Sequence, residues 1–317
     1  MMDFQLIDPD SVEHCLDAES DGQSWIVLEA HFSSIDHPEL MPASERRHLP
    51  GALEIHPSYL ESGTNRARYY PHYKHPTDGN LLSDAELQTA LEKIGITPKT
   101  PVIIYGSEPD GAMAAARIAW SLLYAGVETV RLLDGGLDTW LVENRPTVAR
   151  IDKADEVARR SCPLSNPSQL WPMRHDILAT TAEVREIALR PETASAKLID
   201  VRTRGEWDGS CTRHYPFFST AGHIPNAIYQ GDWDTLVDSD TQQIRSRLDE
   251  VAQRWRSLGI LDSAVERGDI TLIFCCGTGW RSSISFLEAQ LLGLRAKNYD
   301  DGFYGWSCNE KEELVIV

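Results

Sequence analysis

No apolar run in this chain approaches the roughly 18 residues that a membrane-crossing helix needs, so no membrane partner is expected. The start, Met1-Met2-Asp3-Phe4-Gln5, lacks the basic region and apolar core of a secretory signal. A cysteine framework is missing too. The six cysteines, at 15, 162, 211, 275, 276 and 308, show neither paired disulfide spacing nor a two-plus-two zinc pattern. A reducing, cytoplasmic setting is the expectation. Basic residues are scarce: 30 Lys and Arg stand against 48 Asp and Glu, and the net charge of −18 argues against nucleic acid, whose phosphates demand basic surface. The ten histidines are scattered, and His31, His72 and His75 fall in predicted loops without metal-ligand spacing, so neither a metal nor another cofactor is expected.

What is present is an ordinary globular composition, 42% hydrophobic and 25% charged, and one loop with chemical promise. Ile270-Thr271-Leu272-Ile273-Phe274 reads as a buried strand, and Ser282 to Leu292 carries Ile284, Leu287 and Leu291 at helical spacing. Between them runs Cys275-Cys276-Gly277-Thr278-Gly279-Trp280-Arg281. Inward-pointing N–H groups of such a turn, with a helix N-terminus behind them, make a concave anion site that favours thiolate over thiol. Alternation along the strand assigns Cys275 to the core and Cys276 to the strand end, where open α/β sheets meet their ligands.

Four ordered motifs give this region a family likeness. Cys276-x-x-Gly279-x-Arg281 followed by Tyr299-Asp300-Asp301-Gly302-Phe303 and Trp306, Leu198-Ile199-Asp200-Val201-Arg202 followed by Glu206-Trp207, and Ala221-Gly222-His223-Ile224-Pro225-Asn226-Ala227 resemble the landmarks of rhodanese sulfurtransferases. The last has Asn226 where the family signature has glycine. The first half repeats the landmarks: His48-Leu49-Pro50-Gly51-Ala52 answers the histidine motif, and Leu133-Asp134-Gly135-Gly136-Leu137 with Trp140 answers the block ending at Trp306. The resemblance implies two tandem rhodanese-like α/β domains, each a parallel sheet flanked by helices. Their expected bounds are 1–150 for a catalytically silent domain, 151–174 for a proline-bearing linker and 175–317 for the catalytic domain. The first is expected to be silent because Ile104-Tyr105-Gly106-Ser107-Glu108-Pro109-Asp110-Gly111 holds no cysteine and Glu108 and Asp110 repel anions. It is expected to close one wall of the cleft above Cys276.

The coarse pattern predicts strands at 24–30, 101–105, 129–133, 197–201 and 270–274. Helices are predicted at 83–94, 112–125, 181–189, 240–258 and 282–292, with Ser83 and Glu86 forming a capping box.

What the family resemblance implies for chemistry is a double displacement. Cys276 takes the outer sulfur of a small-molecule donor, thiosulfate or 3-mercaptopyruvate, and passes it from a persulfide to a thiol, to cyanide or to an acceptor protein. Gly277, Thr278, Gly279, Trp280, Arg281 and Ser282 make the active loop. Arg202, Arg204, Arg213 and Arg281 are candidate anion binders, Arg281 alternatively tying the loop together. Asp200 is expected to orient the loop or to stabilise its own turn.

Two departures stand out: Trp280 and Arg281 replace the valine and threonine usual in the tandem enzymes, and Glu206 stands where those enzymes have an arginine. Trp280 is expected to form a bulky wall of the site mouth. Two other readings remain open on the sequence. A dedicated sulfur-relay carrier would use the same cysteine. A cysteine-dependent phosphatase would use Cys275-x-x-x-x-x-Arg281-Ser282, although Phe274 replaces the expected histidine.

Overall fold

The apolar runs of each half become the inner strands of parallel sheets in a computed structural model, which describes residues 3–17, 24–31, 47–63, 77–107, 111–149, 151–160, 170–211, 221–232, 237–238 and 240–308. The chain divides into two compact units: residues 1–69, 81–174 and 240–245 form the first, and 70–80, 175–239 and 246–317 form the second.

In the first unit the elements run β1 (Asp3–Ile7), α1 (Pro9–Asp17), β2 (Ile26–Ala30), β3 (Leu53–Ile55), α2 (Asp84–Lys93), β4 (Val102–Gly106), α3 (Gly111–Tyr124), β5 (Thr129–Leu133), α4 (Gly136–Val142), β6 (Asp152–Lys153) and α5 (Ala154–Arg160). The strands lie in the order β1-β5-β4-β2-β3-β6, all parallel. Every residue of the central β4 is buried, as its unbroken apolar sequence requires of a strand covered on both faces.

The second unit runs α6 (Thr181–Leu189), β7 (Ala196–Asp200), α7 (Arg204–Trp207), β8 (Ile228–Tyr229), α8 (Leu248–Ser257), α9 (Ser263–Glu266), β9 (Thr271–Cys275), α10 (Arg281–Leu291), β10 (Ala296–Asn298) and α11 (Gly302–Ser307). Its parallel sheet has the order β10-β9-β7-β8. Both tryptophans of the repeat sit in the cores, Trp140 with Val27, Ile103 and Leu133 and Trp306 with Leu198, Ile273 and Phe303.

Local signals explain where the helices begin. At α2 the Ser83 N–H donates to the Glu86 carboxylate (3.2 Å), and at α6 Thr180 and Glu183 cap each other reciprocally. Asn226 adopts φ +61°, the left-handed conformation that glycine supplies in the family signature and that asparagine tolerates better than most residues. Its amide then donates to the Ala188 carbonyl (2.9 Å).

Two expectations need correction. The stretch 151–174 is not all linker: β6 pairs in parallel with β3, and the Lys153 ammonium lies 3.4 Å from the Glu54 carboxylate, so an edge strand without apolar alternation closes the first sheet. Nor is 240–258 one helix. A 3-10 turn at Arg245–Arg247 leads into α8, and residues 240–245 join the first unit. There the Asp134 carboxylate accepts the N–H groups of Ile244 (2.7 Å) and Arg245 (3.2 Å), holding the backbone out of helix. Among the described residues no helix is long and apolar enough to cross a membrane.

Candidate functional site

Cys275 ends β9 opposite Asp200 of β7 and turns its thiol into the core with Ile273, Tyr299, Phe303 and Trp306. Burial pushes that thiol well above its ordinary range, and the neighbouring Asp200 charge adds to the effect. A phosphatase loop counted from Cys275 needs that sulfur ionised at the loop mouth. The core position removes this reading.

Cys276, one residue on, leaves the strand and enters the bends of Gly277 to Trp280. It is 1% exposed, and its Sγ lies 3.5 Å from the Ser282 hydroxyl at the start of α10. The loop is braced from behind by the Asp-Gly block. At the start of α11, the N–H of Phe303 donates to the Cys276 carbonyl (2.7 Å) and that of Tyr304 to the Gly277 carbonyl (2.9 Å). This approach requires Gly302, at φ +57°: a Cβ there would fall 2.4 Å from the Gly277 oxygen. Gly279, at φ +80°, is pressed the same way against Asp300, where a Cβ would come within 2.8 Å of the carboxylate.

The candidate anion binders are placed differently. Arg281 forms a two-pronged pair with Glu206, at 2.7 and 2.8 Å. Burial works against the Glu206 charge, but the Arg281 bonds outweigh it and hold the carboxyl down at about 2. The two departures from the family pattern therefore compensate each other: the acid that displaced an arginine and the arginine that displaced a threonine are partners. Arg202 is equally committed. It grips Asp200 through Nε and a terminal nitrogen (2.7 Å), donates to the Gly222 carbonyl and lies over the Phe303 ring at 4.0 Å. Asp200 thus fixes the Arg202 turn, accepting its N–H at 2.9 Å. Arg204 is largely exposed, with Tyr229 beneath it. Arg213 lies outside the described residues, as do His72, His75, Cys162, Glu108 and Asp110. Trp280, expected at the mouth, is 4% exposed.

Two side chains at the site escaped the sequence reading. Asn298, the last residue of β10, donates through its amide nitrogen to the Gly279 carbonyl (2.9 Å) and the Ser283 hydroxyl (3.2 Å). Its oxygen lies 2.7 Å from the Ser282 hydroxyl, and Ser283 also donates to the Gly279 carbonyl (2.9 Å). All three side chains are completely buried. Only the polarity of an asparagine in a short strand beyond the Leu292-Gly293 turn hinted at this.

The first unit repeats the frame without the thiol. Gly106 holds the position of Cys276, and a Cβ there would fall 2.3 Å from the Gly111 carbonyl group at the start of α3. Gly136 presses on Gly106 as Gly302 presses on the Cys276 loop, with a Cβ 2.4 Å from the Gly106 oxygen. A side chain at Gly106 has no room. At the place of Asp200 stands Glu29, bonded to His48 (2.7 Å) and Tyr105. Among the described residues no group of three or more His, Cys, Asp or Glu could hold a metal ion.

The rhodanese-like domain family matches the chain twice, at residues 15–143 and 183–309. The thiosulfate sulfurtransferase YnjE of Escherichia coli K12 is 30% identical over 296 residues, 92% of this chain, although the match spans only 59% of the E. coli protein. The sulfur carrier protein TtuD of Thermus thermophilus is 28% identical over 82% of both chains. A solved structure of EanB, in a cysteine-persulfide state with ergothioneine, is 25% identical with a TM-score of 0.74, covering 96% of this chain and 69% of its own.

Proposed function

Because the chain belongs to the rhodanese-like domain family, we propose that it is a sulfurtransferase that carries sulfane sulfur on Cys276. The placement of that residue carries the reading: a sulfur just past the end of the central strand, in a loop braced by α11, with a hydroxyl 3.5 Å away. The names of the similar E. coli and Thermus proteins support the same chemistry.

In the first half-reaction the Cys276 thiolate attacks the outer sulfur of thiosulfate. A new S–S bond forms, the donor's S–S bond breaks, and sulfite leaves with the electron pair. In the second, an acceptor thiolate or cyanide attacks the outer sulfur and Cys276 leaves as thiolate. The positive end of α10, just beyond the loop, favours negative charge on the sulfur in both states. Cys275 takes no part, and the first unit, with Gly106 in the thiol's place, contributes no second nucleophile. A reducing cytoplasm, where the acceptor thiols are available, belongs to the same reading.

Thiosulfate is the proposed donor and 3-mercaptopyruvate the alternative, because Gly277-Thr278-Gly279 lacks the basic residues usual in thiosulfate enzymes. Production of thiocyanate from each donor and cyanide, compared with the Cys276→Ser variant, tests the proposal. Turnover lost in that variant supports it. Equal turnover in the variant overturns it, and persulfide formation without turnover points to a dedicated carrier.

A further inference from the structure

Ser282 has a single proton and two acceptors within reach, the Asn298 amide oxygen at 2.7 Å and the Cys276 sulfur at 3.5 Å. The Asn298 amide cannot turn to relieve the competition. Its two N–H bonds are spent on the Gly279 carbonyl and the Ser283 hydroxyl, which fixes its oxygen towards Ser282. Ser282, Ser283 and Asn298 are completely buried, so the Asn298 oxygen goes short of a partner when the Ser282 proton leaves it.

With Cys276 neutral, the order S–H to Ser282 oxygen to Asn298 oxygen satisfies every group. With the sulfur negative, the S–H donor is gone and the charge becomes the stronger acceptor, since hydrogen bonds to charged groups exceed neutral ones. From this we propose that the Ser282 hydroxyl is the side-chain donor that turns to the Cys276 sulfur whenever it carries negative charge, and that Asn298 is the positioning residue that sets the bias. The persulfide's terminal sulfur is one bond further out. On the resting thiolate the donor therefore engages Sγ directly, and in the second half-reaction it takes up Sγ again as that atom leaves with the electron pair of the breaking S–S bond.

The inference rests on the sulfurtransferase reading for its meaning but not for its test. The Cys276 thiolate is titrated in the full chain by its ultraviolet absorbance, with the Cys276→Ser variant as blank, so no sulfur donor is involved. Ser282→Ala should move the titration midpoint up by about one pH unit, the loss of one charge-assisted bond, and Ser282→Thr should restore it. Asn298→Ala should move the midpoint down, because the Ser282 proton has lost its other acceptor. An unchanged midpoint in Ser282→Ala, or shifts of both alanine variants in the same direction, would reduce the pair to loop scaffolding and overturn the proposal. Loss of persulfide formation with these shifts intact would instead sink the sulfurtransferase reading alone. Thermal melts of each variant check that the fold is retained, and Ser282→Thr keeps the question decidable if one alanine variant fails to fold.

Discussion

Replacing Glu206 by glutamine tests whether the compensating pair holds the active loop. The carboxylate is 3% exposed and accepts both prongs of Arg281, and it also closes a capping box with Thr203 at the start of α7. Its pKa falls from the ordinary 4.5 to about 2. At about 1.4 kcal/mol per unit, that fall corresponds to roughly 3 kcal/mol of stability. Such a depressed carboxyl contributes fully above its unfolded value, and the contribution is lost as pH drops towards the folded value. Urea unfolding at neutral pH should therefore place Glu206→Gln about 3 kcal/mol below the parent, in line with the cost of stranding one partner of a buried pair. The gap should shrink on acidification and fall to about half by roughly pH 3. A gap under about 1 kcal/mol, or one that does not narrow with acid, would refute the argument.

Other outcomes follow from the same geometry. Gly302→Ala combines a left-handed backbone with a contact of 2.4 Å on the Gly277 oxygen, and should cost about 2–4 kcal/mol in thermal or urea melts while weakening persulfide formation; full activity and stability would show that α11 does not brace the loop. Glu288 is completely buried on α10 with no ion-pair partner among the described residues, and burial, which the neighbouring Ser285 hydroxyl offsets only in part, pushes its pKa well up. The protein then loses stability, by about 1.4 kcal/mol per unit, as pH rises from the ordinary carboxylate range towards that raised value. Glu288→Met should remove this slope and be the more stable chain at mildly alkaline pH, with the advantage shrinking in acid; a pH-independent difference would contradict the shift. Gly106→Cys should destabilise the first unit without adding a second persulfide site, because the Gly111 backbone occupies the space of its Cβ; a second labile sulfur on mass spectrometry would show that the silence comes from sequence alone.

The strands and the loop were legible because their signals are local. An apolar run into a glycine-bearing turn announces β9 and the bends after Cys276, and alternation places Cys275 in the core cluster with Ile273 and Phe303. What escaped was long-range. Glu206 and Arg281 are 75 residues apart, and each registered only as an oddity until the fold brought them together. The anion-clamp role suggested for Arg202 failed to anticipate that Asp200, two residues before it, takes its guanidinium inward. Strand β10, Ala296-Lys297-Asn298, has no β pattern and is fixed by its pairing with β9, so Asn298 went unread. The helix expected at 240–258 lost its first two turns, where Asp134, a partner that no window of sequence contains, takes the N–H groups of Ile244 and Arg245.

The most direct test of the account is the intact mass of the full chain after incubation with thiosulfate and removal of excess donor, followed by peptide mapping. The account predicts a gain of one sulfur on Cys276 that cyanide removes, preserved in Cys275→Ser and absent in Cys276→Ser. A gain that maps to Cys275, or that survives the Cys276→Ser change, would contradict it.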